Sequence, residues 1–208
     1  ALMDAAAGRL LMQAASSGDA EAVRAHIAAG APVDFADATG STALHVAVSE
    51  GLTGVVSVLL RGGANIDART SLEGGGGTPL HLAILSGQPD IAATLIQAGA
   101  DVDAEEFGSG KTPLILAAEH GLLSVAAELL AAGCDEERCD TDGFNAAFWA
   151  KHKRLAGWER LGGVPSARAP SMEELLLDLG QRRMAMVAVG AKLKPAKKAK
   201  GKAKKKAR

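Results

Sequence analysis

With 208 residues, 48% of them hydrophobic and 3% aromatic, the chain is long enough for one or two domains and too apolar for wholesale disorder. Its net charge of −1 conceals an acidic body and a basic end: residues 1–150 hold 20 acidic and 6 basic groups, whereas residues 192–208 hold ten basic groups and no acidic one. Two cysteines, Cys134 and Cys139, exclude a disulfide framework, and no apolar run approaches the roughly 18 residues of a membrane-spanning helix. The first residues lack the regions of a secretory signal, so a cytoplasmic, cytoskeletal or nuclear location is the expectation. The apolar content is mostly Ala, Leu and Val, small or helix-forming residues that favour closely packed helices over a β-sandwich.

Taken in chain order, the sequence repeats itself. A first unit carries Ala14, Gly18, Ile27 and Gly30. A second has Thr42-Ala43-Leu44-His45-Val46-Ala47, then Gly51, Leu59-Leu60 and Gly63; a third has Thr78-Pro79-Leu80-His81-Leu82-Ala83, then Gly87, Leu95-Ile96 and Gly99. A fourth has Thr112-Pro113-Leu114-Ile115-Leu116-Ala117, then Gly121, Leu129-Leu130 and Gly133, and a fifth opens with Asn145-Ala146-Ala147-Phe148-Trp149-Ala150. The glycines Gly18, Gly51, Gly87 and Gly121 are 33, 36 and 34 residues apart. This pattern resembles the ankyrin repeat, a Thr-Pro-Leu-His block followed by Gly, a Leu pair and Gly-Ala. The resemblance covers about residues 9–162 and implies an all-α repeat solenoid of stacked helix pairs with β-hairpin fingers between units.

The residues support the same architecture independently. Thr42, Thr78 and Thr112 stand where an N-cap side chain takes up orphan amides, and Pro79 and Pro113 fit the first helical position. Gly51 and Gly87 are placed to end the first helix of their units as left-handed caps. No single unit can bury its apolar face, so stacked neighbours must supply the core. The end units depart from the pattern, as caps do: Arg9-Leu10-Leu11-Met12 replaces the Thr-Pro-Leu-His block in the first. Gly162-Gly163 falls on the Leu-pair positions of the fifth, leaving Phe148, Trp149 and Trp158 to shield the last apolar face. A Gly-rich insertion, Glu73-Gly74-Gly75-Gly76-Gly77, lengthens one finger.

Beyond the ankyrin-like domain (1–163), residues 164–170 read as a linker and 171–190 as a helix opened by the capping-box pattern Ser171-Met172-Glu173-Glu174. That helix either packs back on the final repeat or offers Leu177, Met184, Met186 and Val187 to a partner's groove. Residues 191–208 form a Lys-rich tail with no core-forming content. Lys192, Lys194, Lys197, Lys198, Lys200, Lys202, Lys204, Lys205, Lys206 and Arg208 are its candidate polyanion contacts; a solubilising or nuclear-import tail is the other reading. No aromatic interleaves the lysines, which argues against base stacking and sequence-specific nucleic-acid readout.

Motifs that carry chemistry find no support. Gly110-Lys111-Thr112 matches the end of a phosphate-binding loop, but Glu105 stands where that loop needs glycine and Pro113 follows the Thr. The resemblance gives His45 and His81 a structural role, bonding backbone across adjacent turns. Cys134 and Cys139 have no histidine at metal-ligand spacing. The expectation is no enzyme, no cofactor, no metal, no small-molecule substrate and no membrane contact.

What remains is surface. The resemblance implies that fingers and first helices line a concave groove, the usual partner site. Finger residues Phe35, Asp37, Leu72, Glu73, Glu105, Glu106, Phe107, Asp140 and Asp142 are the candidate partner contacts, with Phe35, Leu72 and Phe107 as apolar anchors amid acidic neighbours. The alternative is that each aromatic folds against its own finger. The whole reads as a non-catalytic scaffold or adaptor, a structural subunit of a large assembly whose tail contacts microtubule acidic tails or RNA. The fifth unit followed by a short helix and lysine tail resembles small ankyrin-repeat proteins of flagellar axonemes. A signalling or nuclear adaptor with the tail as import signal, or an RNA- or ribosome-associated protein, are the alternatives.

Overall fold

A computed structural model describes residues 2–71, 75–155 and 157–161. Nine helices succeed one another among these residues. They are α1 (Leu2–Ser16), α2 (Ala20–Ala28), α3 (Ala43–Ser49), α4 (Thr53–Arg61), α5 (Pro79–Leu85), α6 (Pro89–Gln97), α7 (Pro113–His120), α8 (Leu123–Ala131) and α9 (Ala146–His152). A short 3-10 turn, Trp158–Leu161, follows. The odd-numbered helices pack side by side as an inner row and the even-numbered ones as an outer row, each unit contributing one of each. The linker, C-terminal helix and tail expected at 164–208 lie outside the described residues.

The short inner helices form because each begins and ends on a residue built for it. Thr42, Thr78, Thr112 and Asn145 all adopt extended N-cap conformations, and Pro79 and Pro113 sit at the first helical position. Gly51, Gly87 and Gly121 close them with φ of +72°, +65° and +74°, the left-handed turn the spacing predicts. The fifth unit places Arg154 at the matching position with φ +53°, the one non-glycine residue in that region among those described.

The core runs unbroken along the stack. Leu44, Leu80 and Leu114 of the inner row meet Leu59, Leu95 and Leu129 of the outer row, each no more than 1% exposed. Ala47, Ala83, Ala117 and Ala150 are buried between inner helices, where a larger side chain would push the units apart. Trp158 is buried in the terminal unit and its 3-10 turn packs on α8, so the second helix of that unit begins as a single turn covering the end of the stack.

Two features exceed the sequence reading. The first helix reaches back to Leu2, seven residues before the repeat frame begins, because Met3–Ala7 is an unbroken run of helix-compatible residues. The fingers are slighter than hairpins: only isolated antiparallel bridges, Ala36 with Thr42 and Cys139 with Asn145, occur among the described residues. Aspartates do the turning instead. Asp37 Oδ1 accepts from the backbone N–H of Thr39 and Ser41, and Asp140 Oδ1 does the same for Asp142 and Phe144.

Successive units are stitched by a second set of carboxylates. Asp34 accepts from the Asn65 amide at 2.7 Å, Asp67 from the Asp101 amide at 2.9 Å, and Asp103 from the Asp135 amide at 2.8 Å. Asn65, Asp101 and Asp135 in turn cap the amide two residues on. This ladder absorbs much of the acidic charge in structure, since an ionised carboxylate accepting amide hydrogen bonds is held in place by them.

Candidate partner-binding surface

The resemblance places the partner surface on the inner helices and fingers, where the Thr-His pairs begin the hydrogen bonding. In α3 and α5 the N-cap amide donates to the histidine Nδ1, at 3.3 Å for Thr42 to His45 and 3.2 Å for Thr78 to His81. With Nδ1 accepting, the ring proton is on Nε2, and that of His81 donates to the Lys111 carbonyl of the next unit at 3.2 Å. His45 Nε2 faces the Gly77 and Ala68 backbone without closing a hydrogen bond. The inserted glycines beside Gly77 lengthen the finger at this point. In the fourth unit Ile115 replaces histidine, and Thr112 Oγ1 accepts the Ile115 amide directly. Asn145 Oδ1 does the same for Phe148 in the fifth.

Burial pushes the pKa of both histidines below the ordinary imidazole value. Both are buried structural residues, but only His81 bonds across to the next unit as the resemblance implies; His45 bonds within its own turn. Burial likewise raises the Cys134 thiol to about 11, helped by Asp103 and Glu136, which leaves it protonated near neutrality. Among the described residues no group of three His, Cys, Asp or Glu side chains could hold a metal ion. Lys111, the lysine of the phosphate-loop-like run, turns to Glu119 at 2.6 Å instead.

The predicted finger residues divide into three groups. Phe35 is not an exposed anchor: it is half-buried against α1, where its ring occupies the space a Gly8 side chain would fill. Asp140 is buried, its Oδ2 accepting from Trp149 Nε1 at 3.1 Å, so its carboxylate is committed inside the fold. Asp37 is exposed but its carboxylate is engaged in its own turn, and the Thr39 hydroxyl bond above all holds its pKa below the usual value. These three serve the architecture.

Phe107, 49% exposed, remains accessible, although it does not fold on its own finger. It lies on Gly76 of the preceding finger, whose added Cβ would stand 2.2 Å from the ring, and the Arg69 guanidinium covers its face at 4.9 Å. Glu105 pairs with Arg138 of the next finger, Glu106 Oε2 accepts from Ser109 at 2.7 Å, and Asp142 is exposed. Leu72, Glu73 and the ten tail cations lie outside the described residues. The burial difference separates the two aromatics: Phe35→Ala should lower the melting temperature by several degrees, whereas Phe107→Ala should lower it by about one degree or less, as differential scanning fluorimetry would record.

The groove floor went unnamed in the sequence reading. Val46, Leu82, Leu116 and Trp149 occupy the fourth place after each N-cap, and Ser49, Leu85, Glu119 and His152 the seventh. The seventh place left a trace in the sequence, since it holds Ser, Leu, Glu and His in turn, whereas the fourth is apolar in every unit.

Paired helices repeated along an axis, each unit adding one to the inner row and one to the outer, define a helical repeat solenoid. A family model of three ankyrin repeats matches residues 11–106 and a single-repeat model matches 109–141. The chain belongs to the ankyrin-repeat family, whose domains bind other proteins. No curated protein matches the chain.

Proposed function

We propose that the chain is a non-catalytic adaptor that holds a protein partner on its concave face and anchors to a polyanion through residues 192–208, as a structural subunit of a large cytoskeletal assembly such as a ciliary axoneme. The observation that carries this reading is the charge division. Residues 1–191 hold 13 basic and 24 acidic groups, while the last 17 hold ten basic groups. The acidic body is repelled by a microtubule surface or nucleic acid, and the tail is attracted.

At physiological salt the Debye length is about 8 Å. A random coil of 17 residues spans on the order of 20 Å. The tail therefore engages a polyanion while most of the body's repulsion is screened. Affinity should fall steeply with salt and without regard to sequence, because only charge is read. Cosedimentation with microtubules and binding to RNA, each across a salt series and with and without residues 192–208, tests this. Preferential loss of microtubule binding on tail deletion supports the structural subunit. Ribonuclease-sensitive association favours an RNA-bound role, and affinities indifferent to the deletion return the tail to an import signal.

A further inference from the structure

The concave floor is shut at one end and open at the other. Over α7, Leu116 is buried, and Lys111 Nζ sits 2.6 Å from Glu119 and 5.0 Å from the centre of the Trp149 ring. That half of the groove has its own cation, its own anion and an aromatic lid. Over α3 and α5, no lysine, arginine, phenylalanine or tryptophan among the described residues lines the cleft. Val46 and Leu82 are half-buried and Leu85 is 44% exposed, forming the apolar floor of this cleft of about 330 Å³.

The walls of this cleft differ in chemistry from its floor. Thr39 and Ser41 come from one finger and Thr70, Gly75 and Gly77 from the next. Among the described residues, two carboxylates, Glu50 and Glu106, line the cleft, and no lysine or arginine does. Glu50 follows the last residue of α3 and is exposed. Glu106 is half-buried beside His81, with Oε2 taken by Ser109 and Oε1 3.8 Å from the position of a Gly77 Cβ. Where Lys111 pairs with Glu119 over α7, no lysine or arginine among the described residues lines the α3–α5 cleft to balance Glu50 and Glu106.

We propose that this cleft receives a lysine or arginine side chain of a partner protein, its aliphatic stem on Val46, Leu82 and Leu85 and its charged head at Glu50 and Glu106. Lysine and arginine suit such a site because their stems bury on apolar surface while the head stays at a polar rim. The surrounding charge acts in the same direction: 20 acidic against 6 basic groups in residues 1–150 steer a basic segment in and turn an acidic one away. The Ser41 hydroxyl at the cleft wall offers a hydrogen bond to the segment's backbone. The inference rests on the adaptor reading and specifies which residue the partner presents.

The test is selection of random 12-residue peptides displayed on phage against the whole chain, followed by fluorescence titration of the synthetic winners. The expected consensus places Lys or Arg next to an aliphatic residue. Glu50→Gln, Glu106→Gln and Leu85→Ala should each weaken binding roughly three- to tenfold at an unchanged melting temperature, and the Glu variants should also reduce its salt dependence. Gln97→Ala, exposed at the end of the outer-row helix α6, should change nothing. Winners lacking a cation, or cationic winners indifferent to all three variants, overturn the cleft assignment while leaving the adaptor reading intact. Failure to select any peptide counts against both.

Discussion

Truncation after Gly143 should lower the melting temperature by on the order of 10 °C, whereas deletion of 192–208 alone should shift it by about 1–2 °C or less. The asymmetry follows from what each segment covers. Residues 144–161 supply α9, which packs on α7, and the Trp158 turn, which packs on α8. Their removal strips neighbours from Leu114, Leu116, Ala117 and Leu129, all no more than 2% exposed. It also removes the Trp149–Asp140 bond that fixes the last finger. A solenoid's stability is close to a sum over units and their interfaces, so an end unit takes an interface with it. Calorimetry of the two truncations checks this. Equal shifts would place the end of the domain elsewhere.

Acid should destabilise the protein through His45 and His81 well before carboxylates protonate. Burial holds both imidazoles below their unfolded value of about 6.5. Asp37 and the Gly77 and Ala68 backbone oppose the shift at His45; Glu106 and the Lys111 and Ala104 backbone oppose it at His81, where Arg69 reinforces it. Below pH 6.5 the unfolded chain takes up protons that the native one does not, so stability present above that value is lost as pH falls. The slope is at most about 1.4 kcal/mol per pH unit for each histidine. His45→Ile combined with His81→Ile copies the fourth unit's own residue. The pair should cost stability at pH 7.5, where the Thr42, Thr78 and Lys111 bonds are lost. It should also flatten the profile between pH 5.5 and 7 in urea titrations. An undiminished slope would assign the acid sensitivity to other groups.

The repeating frame was readable because its physical demands recur at fixed spacing. A Thr that caps, a Pro that tolerates the lost amide and a Gly that turns left-handed each leave a residue-specific mark, so the inner helices α3, α5, α7 and α9 lie where Thr42, Thr78, Thr112 and Asn145 place them. The finger aromatics were not readable in the same way. Phe35 and Phe107 stand in similar acidic surroundings, but one meets Gly8, 27 residues earlier, and the other meets Gly76 of the preceding finger. Those meetings depend on the extension of α1 and on the inserted glycines, neither of which belongs to the repeat. Asp140 shows the same limit: its burial comes from Trp149, where the other units have aliphatic residues. Local pattern fixes which face a residue occupies, and tertiary neighbours decide whether that face is wet.

The carboxylate stitching between units also bears on how the molecule tolerates change. Asp34, Asp67 and Asp103 hold the following turn from positions upstream of each finger tip. The spacing between partners varies, 31, 34 and 32 residues, yet the bond length stays between 2.7 and 2.9 Å. The three residues by which the Asp67–Asp101 interval exceeds the Asp34–Asn65 one thus leave the bond between units in place. The longest finger is in effect a splice site: a foreign loop inserted at Gly75 could be displayed beside the open cleft while the stack keeps its register. Recognition can diversify there independently of folding, in evolution or at the bench.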